Sequence, residues 1–171
     1  MPTVIDFRRA SLDLARVNKS GRHIGSRVYW KLYAVENLVR IIIHSVLSVQ
    51  VIPPPWWAVA VDLKTQRKVG RIQADYALSP RYSTPGRHDI YYLFLPDLHE
   101  IMRVHRHLFV DFVPQVDRLL INLDLVRLPR NLVGHMNWPK AYDRQRIDLA
   151  YTHARRLIRD LRTSKFSLLI P

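Results

Sequence analysis

The sequence contains no cysteine, which excludes a disulfide scaffold, thiolate zinc or iron–sulfur ligation, and thiol nucleophiles together. Negative charge is scarce. Glu36 and Glu100 are the only glutamates, and Asp and Glu total 14 against 27 Lys and Arg. The five glycines form no phosphate-cradling loop. No Ser–His–Asp arrangement and no carboxylate cluster for two-metal chemistry is legible, so kinase, esterase and deoxyribonuclease readings are poor. The N-terminal residues lack the apolar core of a secretory signal. The longest run without a formal charge, residues 41–61, is broken by Pro53, Pro54 and Pro55. That leaves about a dozen apolar residues, too few for a bilayer span. A soluble, cytoplasmic protein with no membrane partner is expected.

What is present is a chain of 171 residues, 48% hydrophobic, with a formal charge of +13, the size and composition of one folded domain. Arginine supplies 21 of the cations. So large a positive charge makes nucleic acid the leading partner class; a basic subunit of a larger assembly or an arginine-rich genome composition are the competing explanations.

The hydrophobic spacing predicts helices almost throughout. A basic N-terminal helix is expected within residues 1–20, centred on 4–17, then a turn over Asn18–Ser26 with two glycines. Ser26 would cap a long helix over 27–51. In that helix Asn37, Arg40, His44 and Ser48 make one narrow polar stripe, so most of its circumference should be buried. The prolines and Trp56–Trp57 predict a corner, and a shorter helix should cover about 57–69. Residues 79–89 read as a loop and Tyr91–Leu95 as a short strand-like segment or a packed helix entry. Helix 97–109 follows Pro96, which suits a first turn. A helix over 112–128 should be interrupted by Pro129, and a final arginine-rich helix covers about 140–162. The expectation is an all-α compact bundle of five to six helices in one domain, with its core over 27–162.

The segment Leu128–Trp138 carries the most specific pattern: Arg130, then Asn131, then His135 after four intervening residues. The spacing is weak alone, since roughly one such pair is expected by chance among 21 Arg and 8 His. Arg16/His23, Arg81/His88 and Arg146/His153 fit a wider spacing too. Arg130/His135 stands out by lying near the end of a late amphipathic helix, with a polar residue after the Arg. Earlier, Glu36 and Arg40 sit four apart in YAVENLVR, and YYLFLPDLHEIM follows at 91–102. Together these blocks resemble the HEPN superfamily (higher eukaryotes and prokaryotes nucleotide-binding domain), closest to the branch named after a yeast transcription-associated nuclease. The resemblance spans about residues 27–160. It implies a HEPN-like helical domain and a metal-independent endoribonuclease without cofactors, whose site is completed when two copies of the motif line one cleft in a homodimer. It also implies a toxin or antiviral defence effector, with an antitoxin or defence-system partner. Pro129, directly before the motif Arg, and Asn137, where toxin relatives carry a tyrosine, depart from the family pattern.

The chemistry of the residues is consistent with that implication. RNA carries its own nucleophile, the ribose 2′-OH. Metal-free cleavage then needs a proton-transfer group near neutral pH, which His135 supplies, and a permanent cation for the phosphorane, which Arg130 supplies. Asn131 can bond a phosphate or orient either partner. On an ideal helix Arg130 and His135 differ by about 140°, so a kink or frayed end is needed to bring them together. Glu36 and Arg40 would support the site. Arg144, Arg146, Arg155, Arg156 and Trp138 are candidate RNA contacts.

Plainer readings compete. Arg130 and His135 can be cations at a helix end, and Glu36–Arg40 an i,i+4 ion pair with no catalytic role. His99, Glu100, His105 and His107 form no metal-binding spacing. Trp30, Trp56 and Trp57 read as core, and Arg159 and Arg162, like the other terminal arginines, as solvated surface. Two further functional readings stay open: a non-catalytic HEPN-like module binding RNA, nucleotide or protein, and a basic structural subunit.

Overall fold

The computed structural model describes residues 13–51, 55–163 and 166–171. Seven α-helices and one 3₁₀ turn form an all-α fold, with no strand among the described residues. Helix α1, Leu14–Gln50, is the central element. Its apolar positions Val35, Val39, Ile42, Ile43, Val46 and Leu47 are fully buried. They pack with Leu98 and Met102 of α4 (Leu95–Val104), Leu123 and Val126 of α6 (Val116–Gly134) and Ile147 and Ala154 of α7 (Ala141–Thr163).

The turn expected over Asn18–Ser26 is helix instead. Asp13 caps α1 by accepting from the Ala15 amide at 2.9 Å, and α1 passes Gly21 and Gly25 with one π-helical segment over Gly25–Tyr29. Ser26 caps nothing; its hydroxyl lies against the His23 carbonyl oxygen. A helical glycine costs about 1 kcal/mol relative to alanine, and contacts remote in sequence offset it. His23 stacks on Trp138, Trp30 meets Tyr151 edge-on, and Lys31 pairs with Asp148. Most of the expected N-terminal helix, residues 1–12, and the corner at Pro53 and Pro54 lie outside the described residues. Because the two expected helices are one, α1 is long and apolar enough by length and composition to cross a membrane, and half of its apolar window is buried within the fold.

The helix expected over 57–69 is two: α2, Trp56–Ala60, and α3, Leu63–Ala77. Asp62 separates them by accepting from the Thr65 amide at 2.9 Å, an N-cap that starts α3. The segment expected to be strand-like is a 3₁₀ turn, Asp89–Tyr92, followed by extended Leu93 and Phe94. Helix α4 then begins with Pro96 in its first turn and Asp97 accepting from the Phe94 amide. His105 divides the expected 97–109 helix into α4 and the short α5, Arg106–Phe109. Helix α6 starts at Val116 rather than 112 and runs through Pro129 to Gly134 without stopping. Pro129 is itself buried, so burial of its ring compensates for the amide hydrogen bond it cannot make.

Within the polar stripe of α1, Arg40 and His44 turn toward the segment before α4. Arg40 is 9% exposed, and its Nε and Nη2 donate to the carbonyl oxygens of Ile90 at 3.3 Å and Leu93 at 2.8 Å. His44 Nδ1 accepts from Trp56 Nε1 at 3.2 Å. This placement draws the 88–94 segment onto α1 beside the candidate motif residues.

Two glycines separate close packing from propensity. A Cβ on Gly86 would lie 2.4 Å from the Tyr91 ring, whereas one on Gly70, inside α3, would meet nothing within 4 Å. Denaturant unfolding is therefore expected to show Gly86→Ala destabilised by about 1–3 kcal/mol and Gly70→Ala stabilised by about 0.4–1 kcal/mol.

Candidate active site at the end of helix six

Glu36 extends from α1 and joins the two arginines singled out in the sequence. Its Oε1 accepts from Arg130 Nε at 2.6 Å and its Oε2 from Arg40 Nη2 at 3.3 Å. All three side chains are largely buried, with exposures of 13% for Glu36, 10% for Arg40 and 24% for Arg130. Arg40 is fully engaged, because its Nη1 also donates to Asn37 Oδ1 at 3.2 Å. Burial draws its pKa down and the adjacent Glu36 carboxylate opposes that pull; a guanidinium stays charged throughout the physiological range.

Arg130 is placed differently. Its Nε is held by Glu36, and its Cζ lies 5.6 Å from the centre of the Phe94 ring. Among the described residues no hydrogen bond engages its terminal nitrogens. That leaves the planar edge suited to a phosphate oxygen while the stem is fixed. Phe94 also carries Lys68 Nζ at 5.1 Å, and Lys68 in turn binds both oxygens of Asp97 at 2.8 and 2.7 Å. Phe94, Lys68 and Asp97 were not legible as neighbours of the motif. The F-L-P-D run signals only a helix start.

His135 follows the last residue of α6. Its backbone amide donates to the Asn131 carbonyl at 2.9 Å, and its residue is exposed. The helix closes with paired bonds, Met136 N to Val133 O at 2.9 Å and Asn137 N to Leu132 O at 3.0 Å, the pattern of a Schellman cap. That cap needs a left-handed residue, and Met136 occupies it with φ 58°, where glycine is usual. The chain thus reverses directly after His135, whose own amide still makes the helical bond to the Asn131 carbonyl oxygen, so the reversal does not remove the angle of about 140° that an ideal helix sets between Arg130 and His135. No hydrogen bond joins the His135 side chain to Arg130, Asn131 or Glu36 among the described residues. Asn131 is half-buried, with no side-chain hydrogen bond among them either.

The other candidates are dispersed along α7 and its approach. Arg144 donates to the Pro139 carbonyl at 3.1 Å, and Arg146 binds the Tyr142 hydroxyl while lying over its ring. Arg155 lies 5.6 Å from the Tyr151 ring centre, and Arg156 is 3.7 Å from Asp160. Trp138 stacks on His23 at 5.1 Å, so one of its faces is covered by α1. His105 Nε2 lies 2.6 Å from the Ala60 carbonyl, and Glu100 pairs with Arg103. No group of three or more His, Asp or Glu among the described residues is placed to hold a metal ion.

His44 and His88 lie behind the site, their rings 4.7 Å apart. His88 Nδ1 accepts from the amide of Ile90 at 3.1 Å, the residue whose carbonyl oxygen accepts from Arg40 Nε. Burial holds both imidazoles below the ordinary value of 6.5; the His88 charge adds to the effect at His44, while Asp89 opposes it at His88.

No family model matches the chain, and no curated protein or solved structure compared with it is similar. The functional argument therefore rests on the geometry and on the sequence pattern.

Two outcomes follow from the site. Met136→Gly should stabilise the fold by about 1 kcal/mol in thermal unfolding, because it relieves the left-handed strain. Stability should also fall as the pH drops below 6.5, since the unfolded chain there takes up protons that His44 and His88, and likewise His23 and His153, resist in the fold. His88→Asn, which keeps an acceptor for the Ile90 amide but cannot titrate, should reduce that acid slope in unfolding measured between pH 7 and 5, the other histidines keeping the rest of it.

Proposed function

We propose that this protein is a metal-independent endoribonuclease of the HEPN kind, cleaving RNA through a composite Arg/His site shared by two protomers. One observation carries the reading. Glu36 of the early Glu-x3-Arg block binds Arg130 of the late Arg-x4-His block at 2.6 Å, across 94 positions of sequence. Two patterns chosen separately in the sequence thus meet in one cluster. In the reaction His135 exchanges protons with the 2′-OH or the departing 5′ oxygen, Arg130 stabilises charge on the phosphorane, and Asn131 bonds the phosphate.

One protomer supplies a single cation and a single imidazole, so the site needs a second copy. Two-fold homodimers are the commonest assemblies. Leu125, Leu128 and Met136, exposed apolar residues of this segment, are suited to that contact. The formal +13 attracts the RNA, and the arginines of α7 extend the electrostatic surface. Action as a cytoplasmic toxin or antiviral effector, held in check by a partner protein, is the biology that the resemblance suggests. A non-catalytic RNA-binding role is the second reading. It draws on the absence, among the described residues, of a hydrogen bond that orients His135.

The deciding experiment is cleavage of single-stranded RNA in EDTA by wild type and by His135→Ala, both shown by sedimentation to be folded dimers. A loss of about a hundredfold or more in the variant, with 2′,3′-cyclic phosphate ends in the wild type, is the expected result. Equal cleavage in both would remove His135 from the chemistry. Tight, steeply salt-dependent RNA binding without cleavage in either would establish the binding role instead.

A further inference from the structure

A cavity of about 590 Å³ opens between the first half of α6, the second half of α7 and the tail at Phe166. Its polar residue Arg118 lies about 18 Å along α6 from Arg130, so it belongs to neither the motif nor the Glu36 cluster. Phe112, Leu119, Leu157 and Phe166 make apolar walls. Arg118, Asn122 and His153 converge on one side, in the size range and composition of a small-molecule site.

The hydrogen bonds there leave two donors facing each other. Asn122 is 7% exposed, and its Nδ2 donates to the Arg118 carbonyl oxygen at 2.7 Å. A carbonyl only accepts, so the amide orientation is determined. The same Nδ2 lies 2.5 Å from His153 Nδ1. Nδ1 must therefore accept, and the neutral imidazole carries its proton on Nε2. That Nε2–H faces Arg118 Nη2, a donor only, at 3.4 Å. Neither group can satisfy the other. An oxygen anion beside them would accept from both.

We propose that this cavity binds a small amphipathic organic anion, with one oxyanion head on Arg118 and His153 Nε2 and an apolar body against Phe112, Leu157 and Phe166. The charge around the mouth limits the head. Arg118 and Arg156 are balanced by Asp111 and Asp160, and Asp160 lies 3.7 Å from Arg156. A polyphosphate would meet both carboxylates, whereas a single carboxylate-sized charge is matched by the donor pair alone. Burial, Arg118 and Arg156 together keep the free imidazole neutral, so the bound head receives a neutral N–H and a permanent cation.

The test titrates the full chain with 4-phenylbutyrate and with its neutral amide by calorimetry, while ¹⁵N NMR reports the His153 tautomer. Saturable binding of the acid, at least about tenfold tighter than the amide, is expected, and Arg118→Gln should abolish that preference. Arg118 is exposed, so its replacement leaves the core in place, and His153→Gln provides a second variant with the same expectation. The idea is overturned if neither compound binds, if acid and amide bind alike, if the preference survives Arg118→Gln, or if free His153 carries its proton on Nδ1. None of these outcomes depends on whether the protein cleaves RNA.

Discussion

One carboxylate, that of Glu36, holds together parts of the chain that are far apart in sequence. Guanidinium groups from α1 and α6 converge on it in a largely buried setting. Taking such charges out of water is costly, and breaking a buried pair by removing one partner costs about 3–5 kcal/mol, because the other is left uncompensated. Arg40 extends the constraint. Held by Glu36 and Asn37, it satisfies the carbonyl oxygens of Ile90 and Leu93, which flank the entry to α4. The Ile90 oxygen also accepts from the Leu93 amide at 3.2 Å, so Arg40 adds a second bond there and ties the Leu93 oxygen to α1. The position of α6, the path of residues 88–94 and the start of α4 are therefore coupled through one side chain.

The end of α6 shows a second constraint acting on the same site. A helix that ends in a Schellman cap needs a left-handed residue, and this one uses methionine. The local cost, of order 1 kcal/mol, is borne immediately beside His135. Glu36 fixes Arg130 by its Nε, while the cap ends the helix directly after His135. The guanidinium is thus held by an ion pair, whereas no hydrogen bond among the described residues orients the exposed imidazole. His135 is left exposed at the end of the helix.

The late helices were legible because their signals are local. Helix α7 was expected over 140–162 and occupies Ala141–Thr163, and Pro96 marks the first turn of α4. The continuous helix over Asn18–Ser26 and through Pro129 departs from expectation for a common reason. Glycine and proline signal breaks by local propensity, whereas His23–Trp138, Trp30–Tyr151 and the burial of Pro129 act over long range. The same limit applies to the candidate site. Glu36, Arg40 and Arg130 were each visible as residue types in a spacing, and the bond between Glu36 and Arg130 was not. Phe94 beside Arg130, the covered face of Trp138 and the left-handed Met136 carried no signal in sequence, because each depends on which helix lies alongside.

Scarcity of negative charge gives these features a shared logic. With 14 acidic groups for 27 Lys and Arg, nearly half of the cations have no carboxylate to neutralise them, and the few acidic and amide groups that are buried hold selected basic groups still. Glu36 does this for Arg130. Asn122, through Nδ2, does it for His153 and thereby sets the donor that faces Arg118. In both places a buried polar side chain occupies the inner edge of a basic group and leaves its outer edge for an anion. The two sites lie on the same helix, about 18 Å apart, and α6 keeps its α-helical form between them despite Pro129. A basic surface without such anchors would attract polyanions loosely at many points. Anchoring selected basic groups from within gives two places on this surface a defined geometry.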